Sequence, residues 1–416
     1  MIIAVIGNGA AGYVAAETIK RHKPEAEVMM FARESYPLYS PCALPDCLGG
    51  DLERARLFLK KAEDYRSNGI ETIFGQTVEK IDVKERLVIT DQAVYHYDRV
   101  IMATGSKAVI PPIPGARLPG TFTLKSLDDL DSMLNYKPQR VIVVGSGNIG
   151  MEAAGAMRDR GFRVTMIEAQ DHVMPRLFDK KPAHMLQNML EQTGIRVITG
   201  EQVQTMDGRT RVEVVETDRS ILECDMLIWA VGLSPECSLA RESGIEVGPT
   251  RGIKVDRHMQ TNAAGVYACG DCAEAFDIIT GHPVNSMLWP SARRQAQVAA
   301  LNCIGIETEY EGAFNIVVGE VKDRPFAALG NKEDIHAGPI RIIEGEHGDD
   351  YWRILVADQT LIGMQSIGDL KLCGTVGGLI RNRTSLQELR ETLKDPGLKM
   401  TSPWAAEAAQ RYLAGF

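Results

Sequence analysis

The residues able to do chemistry fall into three kinds: glycine-spaced turns, acids and a thiol. The turns are Gly7-Asn8-Gly9-Ala10-Ala11-Gly12 and Gly145-Ser146-Gly147-Asn148-Ile149-Gly150, each fed by a short apolar run. In such a turn the first glycine bends the chain, the second lets backbone amides approach a pyrophosphate, and the third lets helix and strand close together. The helix N-terminus then faces two phosphates. One such turn is a weak signal. Two in one chain, the second followed about 20 residues on by Glu168, point to two bound dinucleotides. Asp271 stands just after the apolar run 266–268, placed to hydrogen-bond a sugar hydroxyl. Cys42 lies in the loop 36–50, rich in Pro, Gly and aromatics. A positive environment or a helix start there would favour its thiolate; the competing reading is a small apolar filler.

The elements that must position these groups follow from the same stretches. Residues 2–6 read as a strand, 13–22 as a crossover helix and 27–31 as a second strand. Ala32 then stands where an acid would grip a ribose, which leaves Glu34, just beyond, as the candidate. The apolar run from Arg99 ends in Ala103-Thr104-Gly105, and the proline-rich 109–114 reads as a linker, with a domain boundary near residue 112. The run 227–231 ending in Gly232 plays the same part for the second turn, giving an internal repeat of about 140 residues, a usual domain size. Trp289-Pro290 opens a helix with Pro in its first turn. Beyond residue 313 no third turn occurs. Alternating runs at 352–356 and 361–365, then an amphipathic 386–393, predict a separate α+β domain for dimer or partner contact.

Composition bounds the function. The 416 residues suggest two or three domains. Acids outnumber bases by 55 to 46 with no basic block, which argues against nucleic-acid binding. No apolar run approaches the roughly 20 residues of a membrane helix. The first strand begins at Ile2, so the expectation is a cytoplasmic protein without a leader. The eight cysteines are scattered, as expected of reduced thiols. Cys269 and Cys272 form a single CxxC with no second pair or histidine at zinc spacing, so no metal is expected.

The combination GNGAAG, ATG, GSGNIGME, AVGLSPE and YACGD, in this order, resembles the FAD- and NAD(P)H-dependent pyridine nucleotide disulfide oxidoreductases over roughly the first three quarters of the chain. The resemblance implies an α/β fold with two Rossmann-like domains. The FAD domain (1–112 and 245–310) is split around an inserted NAD domain (113–244), and a C-terminal α+β interface domain follows (311–416). It assigns Gly7, Gly9, Ala10, Ala11, Gly12, Glu34, Pro41, Ala103, Thr104, Gly105, Gly270 and Asp271 to FAD. It assigns Gly145, Gly147, Asn148, Ile149, Gly150, Glu168 and Gly232 to NAD(H), with Glu152 near the nicotinamide. The implied chemistry is hydride exchange between nicotinamide C4 and flavin N5. Because no arginine stands in 169–172 to meet a 2′-phosphate, NADH is expected over NADPH.

Cys42-Ala43-Leu44-Pro45 resembles the single-cysteine branch of the family, which contains coenzyme A disulfide reductases, NADH oxidases and NADH peroxidases, and implies a redox thiol over the flavin. Two departures stand out: Ala10 occupies the position of the histidine used by the oxidases and peroxidases, and Pro41 directly precedes the cysteine. Residues 361–369 are more like flavoproteins that serve rubredoxins, ferredoxins and iron-sulfur subunits. Cys42 and Cys47 also show the CxxxxC spacing of the glutathione-reductase-type dithiol, the lesser reading because Pro45 intervenes. The expected activity is therefore an NADH:acceptor oxidoreductase exchanging electrons with an iron-sulfur protein, as a homodimer or a subunit of a redox complex. The alternative is a disulfide or persulfide reductase using Cys42. A flavin-bearing structural subunit is a third reading, against which Glu168 argues.

Overall fold

The computed structural model describes residues 1–333 and 338–388. They form two compact units, each assembled from separated stretches. Met1–Cys47, Leu52–Val109 and Leu233–Ala313 make the first; Leu48–Asp51, Ile110–Gly232 and the described residues from Phe314 onward make the second.

In the first unit five strands lie parallel in the order Val266–Ala268, Arg99–Met102, Ile2–Ile6, Glu27–Ala32, Ile70–Phe74. The chain leaves the central strand Ile2–Ile6 to one side and later returns to the other, and such a reversal opens a crevice at the strands' carboxyl ends. Ile3, Ala4 and Val5 are fully buried, as in a parallel sheet covered on both faces. The covering helices Ala10–His22 and Trp289–Cys303 present alanines inward, including the fully buried Ala15, Ala16, Ala296, Ala299 and Ala300, which lets them approach each other and the sheet.

The second unit repeats this plan with the order Arg196–Thr199, Arg163–Glu168, Arg140–Val144, Met226–Trp229, Thr121–Phe122, again all parallel. The reversal now falls at Arg140–Val144. Its other layer is a five-stranded antiparallel sheet in the order Ile316–Val321, Arg324–Gly330, Thr360–Ile367, Asp350–Ala357, Arg341–His347, with the helix Lys371–Arg381 against it. The runs expected to alternate between core and solvent are buried along almost their whole length. They read as alternating because Arg353 and Gln365 are polar residues inside the fold.

Residues 233–244, expected with the inserted domain, pack within the first unit. Leu233–Pro235 pairs antiparallel with Ser106–Ala108, and Cys237, Leu239 and Ala240 join the first unit's core. Of the amphipathic 386–393, only 386–388 lie among the described residues, and they are helical. Among the described residues no helix is long and apolar enough to cross a membrane.

Candidate active site: two dinucleotide crevices

The glycine turns at the two crevices are built from the same contacts. Gly7 N–H donates to Phe31 O and Gly145 N–H to Ile167 O, both at 2.8 Å. Ala103 N–H reaches Ile6 O, and Ala230 N–H reaches Val144 O, again both at 2.8 Å. The first glycine of each turn has a left-handed φ, +116° at Gly7 and +102° at Gly145. A Cβ on Gly12 would lie 1.8 Å from Gly7 O, and one on Gly150 would lie 2.0 Å from Gly145 O. A Cβ on Gly9 or Gly147, by contrast, would meet nothing within 4 Å. The outer glycines thus close the protein against itself, while the middle one borders open space. The helices Ala10–His22 and Asn148–Asp159 begin at that space with no side-chain cap and no acid in the first turn. Uncapped N–H groups, the positive end of a helix and room beside a glycine fit a pyrophosphate at both crevices.

The acids differ. Glu168 ends the strand Arg163–Glu168 and is only 9% exposed. Its Oε2 accepts from Ser146 N–H at 3.0 Å and Ser146 Oγ–H at 2.6 Å, and its Oε1 from Gln170 N–H at 3.0 Å. A carboxylate has about four acceptor sites, so with three filled about one is left for a ribose hydroxyl. In the first unit the corresponding strand ends at Ala32; Glu34 lies beyond it and accepts from the Tyr39 hydroxyl at 3.1 Å. Asp271, on the turn Gly270–Cys272, accepts from Ser106 Oγ–H at 2.7 Å. A Cβ on Gly270 would sit 2.8 Å from that of Ala11, so Asp271 and the first glycine turn share one end of the sheet. Thr104 Oγ1 donates to Glu236 O at 2.6 Å, and Gly105 O accepts from Glu236 N–H at 2.9 Å. At the second crevice Asn148 Nδ2 donates to Glu152 Oε1 at 2.7 Å, and Arg176 Nη1 lies 3.9 Å from where a Cβ on Gly232 would be.

The family model for pyridine nucleotide-disulphide oxidoreductases matches residues 1–296. The chain belongs to that family. A relative from Methanocaldococcus jannaschii described as an NADH oxidase is 33% identical over 337 residues, 78% of this chain and 75% of its own length. A nitrite reductase [NAD(P)H] from Bacillus subtilis is 32% identical over 393 residues, 93% of this chain, and this chain spans 48% of that protein. The structure of an NAD-dependent persulfide reductase from A. fulgidus superposes with a TM-score of 0.93 at 23% identity, covering 100% of this chain and 83% of that one, which shows the shared fold.

As a member, the chain is an FAD-dependent NAD(P)H oxidoreductase. Bound FAD supplies hydride exchange with the nicotinamide and passage of electrons onward. The protein's share is to hold and orient, and the first glycine turn, Asp271 and the uncapped helix start are the groups that would hold FAD.

Cys42 is exposed on the single 3-10 turn Pro41–Ala43, immediately before the short helix Leu44–Gly49. Its loop is tied to the first glycine turn through Asn8. The Asn8 amide donates to Tyr36 O at 3.0 Å and accepts from Tyr65 Oη–H at 2.8 Å, and Tyr65 Oη in turn accepts from Leu38 N–H. Cys47, the other member of the CxxxxC pair, is buried. Cys269 and Cys272 are fully buried, and burial raises both thiols' pKa. Cys272 Sγ donates within the fold, to Cys269 O at 3.3 Å. Burial likewise pushes Cys224, Cys237 and Cys303 up to about 12. Among the described residues no group of His, Cys, Asp and Glu is arranged to hold a metal. The sequence reading missed Asn8, Tyr65, Ser106, Ser146 and Arg176. Asn8 and Ser146 carried a signal, as the polar residue between the first two glycines of each turn.

Proposed function

We propose that this chain oxidises NADH at FAD and passes the electrons to another redox module of iron-sulfur type. The carrying observation is Ala10. It opens the helix Ala10–His22 with a bare methyl group where the family's oxidases and peroxidases resemble one another in using histidine, which weakens oxygen or peroxide as the main acceptor. The nitrite reductase relative supports an onward module, since the stretch matching this chain is half of a longer protein. NADH over NADPH is supported by Glu168, whose fixed and buried carboxylate would face a 2′-phosphate with like charge. A cytoplasmic setting and a homodimer or redox-complex subunit belong to the same reading.

A second reading rests on Cys42. Its exposed position on a turn joined to the first glycine turn suits attack on a small disulfide or persulfide, with reduced FAD restoring the thiolate. An anaerobic NADH titration of wild type and Cys42→Ser, each first treated with a small disulfide and freed of the excess, and followed by absorbance, separates the two. One NADH consumed per FAD in both proteins supports the onward-transfer reading. Uptake of more than one by wild type, with a long-wavelength thiolate-to-flavin band absent from Cys42→Ser, moves the disulfide reading ahead.

A further inference from the structure

Asp179 occupies the N-cap of the helix Lys180–Gln192 with extended backbone angles, φ −76° and ψ 165°, yet makes no side-chain capping bond. Aspartate at this position ordinarily accepts an N–H of the first turn. Here the carboxylate turns to the antiparallel sheet. Its Oδ2 accepts from Gln365 Nε2 at 2.8 Å and lies 3.3 Å from Arg353 Nη1, while Asp179 N–H donates to Gln365 Oε1 at 3.1 Å. Gln365 and Arg353 are both buried, and Arg353 Nη2 extends the chain of contacts to Glu333 Oε2 at 3.1 Å. Lys332 Nζ donates to Pro175 O at 2.8 Å, and the buried Phe178 ring meets Phe326 edge-on at 5.8 Å.

The segment gripped in this way, 171–179, is the one that follows Glu168. It contains Met174, whose φ of +51° is left-handed for a residue with a side chain, a conformation that surrounding contacts must hold. Met174 N–H donates to Ser146 Oγ at 3.0 Å, and that hydroxyl donates to Glu168 at 2.6 Å. Arg176, facing Gly232, lies on the same segment. A continuous series of bonds therefore runs from the antiparallel sheet to the acid of the second crevice.

We infer that the antiparallel sheet is a positioning element of the NAD(H) site: Gln365 and Arg353, acting through Asp179, and Lys332, acting through Pro175, fix the loop that sets Ser146 and Glu168. The inference rests on the reading of Glu168 as the acid that binds the NADH ribose. It makes a sheet without any dinucleotide turn a determinant of nucleotide affinity.

Asp179→Ser tests it, because serine is itself a favoured N-cap and keeps the helix start satisfied while both side-chain links to the sheet are lost. On the flavin-loaded protein, ADP-ribose binding by calorimetry, NADH kinetics with ferricyanide and amide exchange across 171–179 are measured, with Glu168→Ala in parallel. Asp179→Ser is expected to weaken ADP-ribose and raise KM by about tenfold. It should leave kcat within about twofold and speed exchange of the Met174 amide. Asp179→Asn, which keeps an oxygen for Gln365, should recover most of the affinity. If Glu168→Ala weakens ADP-ribose and Asp179→Ser does not, the positioning role is overturned. If neither does, the reading of Glu168 has failed and this inference with it. Should Asp179→Ser not fold, Gln365→Met, which removes both bonds between Gln365 and Asp179 at nearly constant volume, is held to the same criteria.

Discussion

The two crevices share one glycine turn and differ in what lies beside it. At the first, the strand after the turn ends in Ala32, Glu34 is engaged with Tyr39, and Asn8 stitches the turn to the loop that carries Cys42. At the second, the strand ends in a buried carboxylate that three donors hold in place, and the next loop is clasped by a sheet. The difference would suit two kinds of occupant. A dinucleotide that stays bound can be kept by area and by many neutral contacts. One that exchanges at every turnover must be selected on each visit, and charge selects: two like charges about 4 Å apart repel by roughly 4 kcal/mol at the effective dielectric near a protein surface.

The largest effect expected separates the crevices outright. A Cβ at Gly12 or Gly150 would fall within 2.0 Å of a backbone oxygen, and the turn must shift to admit it. Gly12→Ala should purify with little or no flavin, read from visible absorbance. Gly150→Ala should keep its flavin yet be reduced by NADH more than about a hundredfold more slowly, from the loss of roughly 3 kcal/mol of correct positioning. Loss of flavin from both would mean that the two crevices are not independent. A smaller effect sharpens the contrast between the acids. Glu168→Gln keeps the shape but removes the charge, so KM for NADH should rise about tenfold to a hundredfold, the worth of a charged hydrogen bond. Glu34→Gln should change FAD affinity by no more than about twofold, the scale of a replaceable contact at a half-buried surface site. Equal losses at both positions would erase the distinction drawn between them.

How far this was legible depended on whether a local pattern reports the contact. The glycine turns, their strands and Glu168 could be read because phosphate binding is a backbone property fixed within a dozen residues. The clasp on Asp179 could not be read. Its partners, Gln365 and Arg353, lie more than 170 residues away, and both look like the outward positions of an alternating strand. Asp179 itself reads as an ordinary helix cap, and only the structure shows the carboxylate turned elsewhere. The placement of 233–244 was hidden for a similar reason. The short strand Leu233–Pro235 has its partner, Ser106–Ala108, on the far side of the inserted segment.

The smallest effect concerns the loop that the sheet clasps at the second crevice. Lys180, at 2.6 Å, and then His172, at 2.5 Å, bond the Asp171 carboxylate and hold its pKa down to about 2. An aspartate in an unfolded chain titrates near about 3.9. Because the folded value is the lower one, the contribution is complete above the unfolded pKa and is lost as pH falls through the folded one. Asp171→Asn should therefore melt slightly below wild type at neutral pH, with the gap constant down to about pH 5 and closing toward pH 2. Asp171 is exposed at the surface, so added salt should narrow the gap at any pH. A gap that persists unchanged in acid would show that Asp171 supports the loop by its shape and not by its charge. The extra order of the second crevice would then rest on the buried bonds from Ser146 to Gln365 alone.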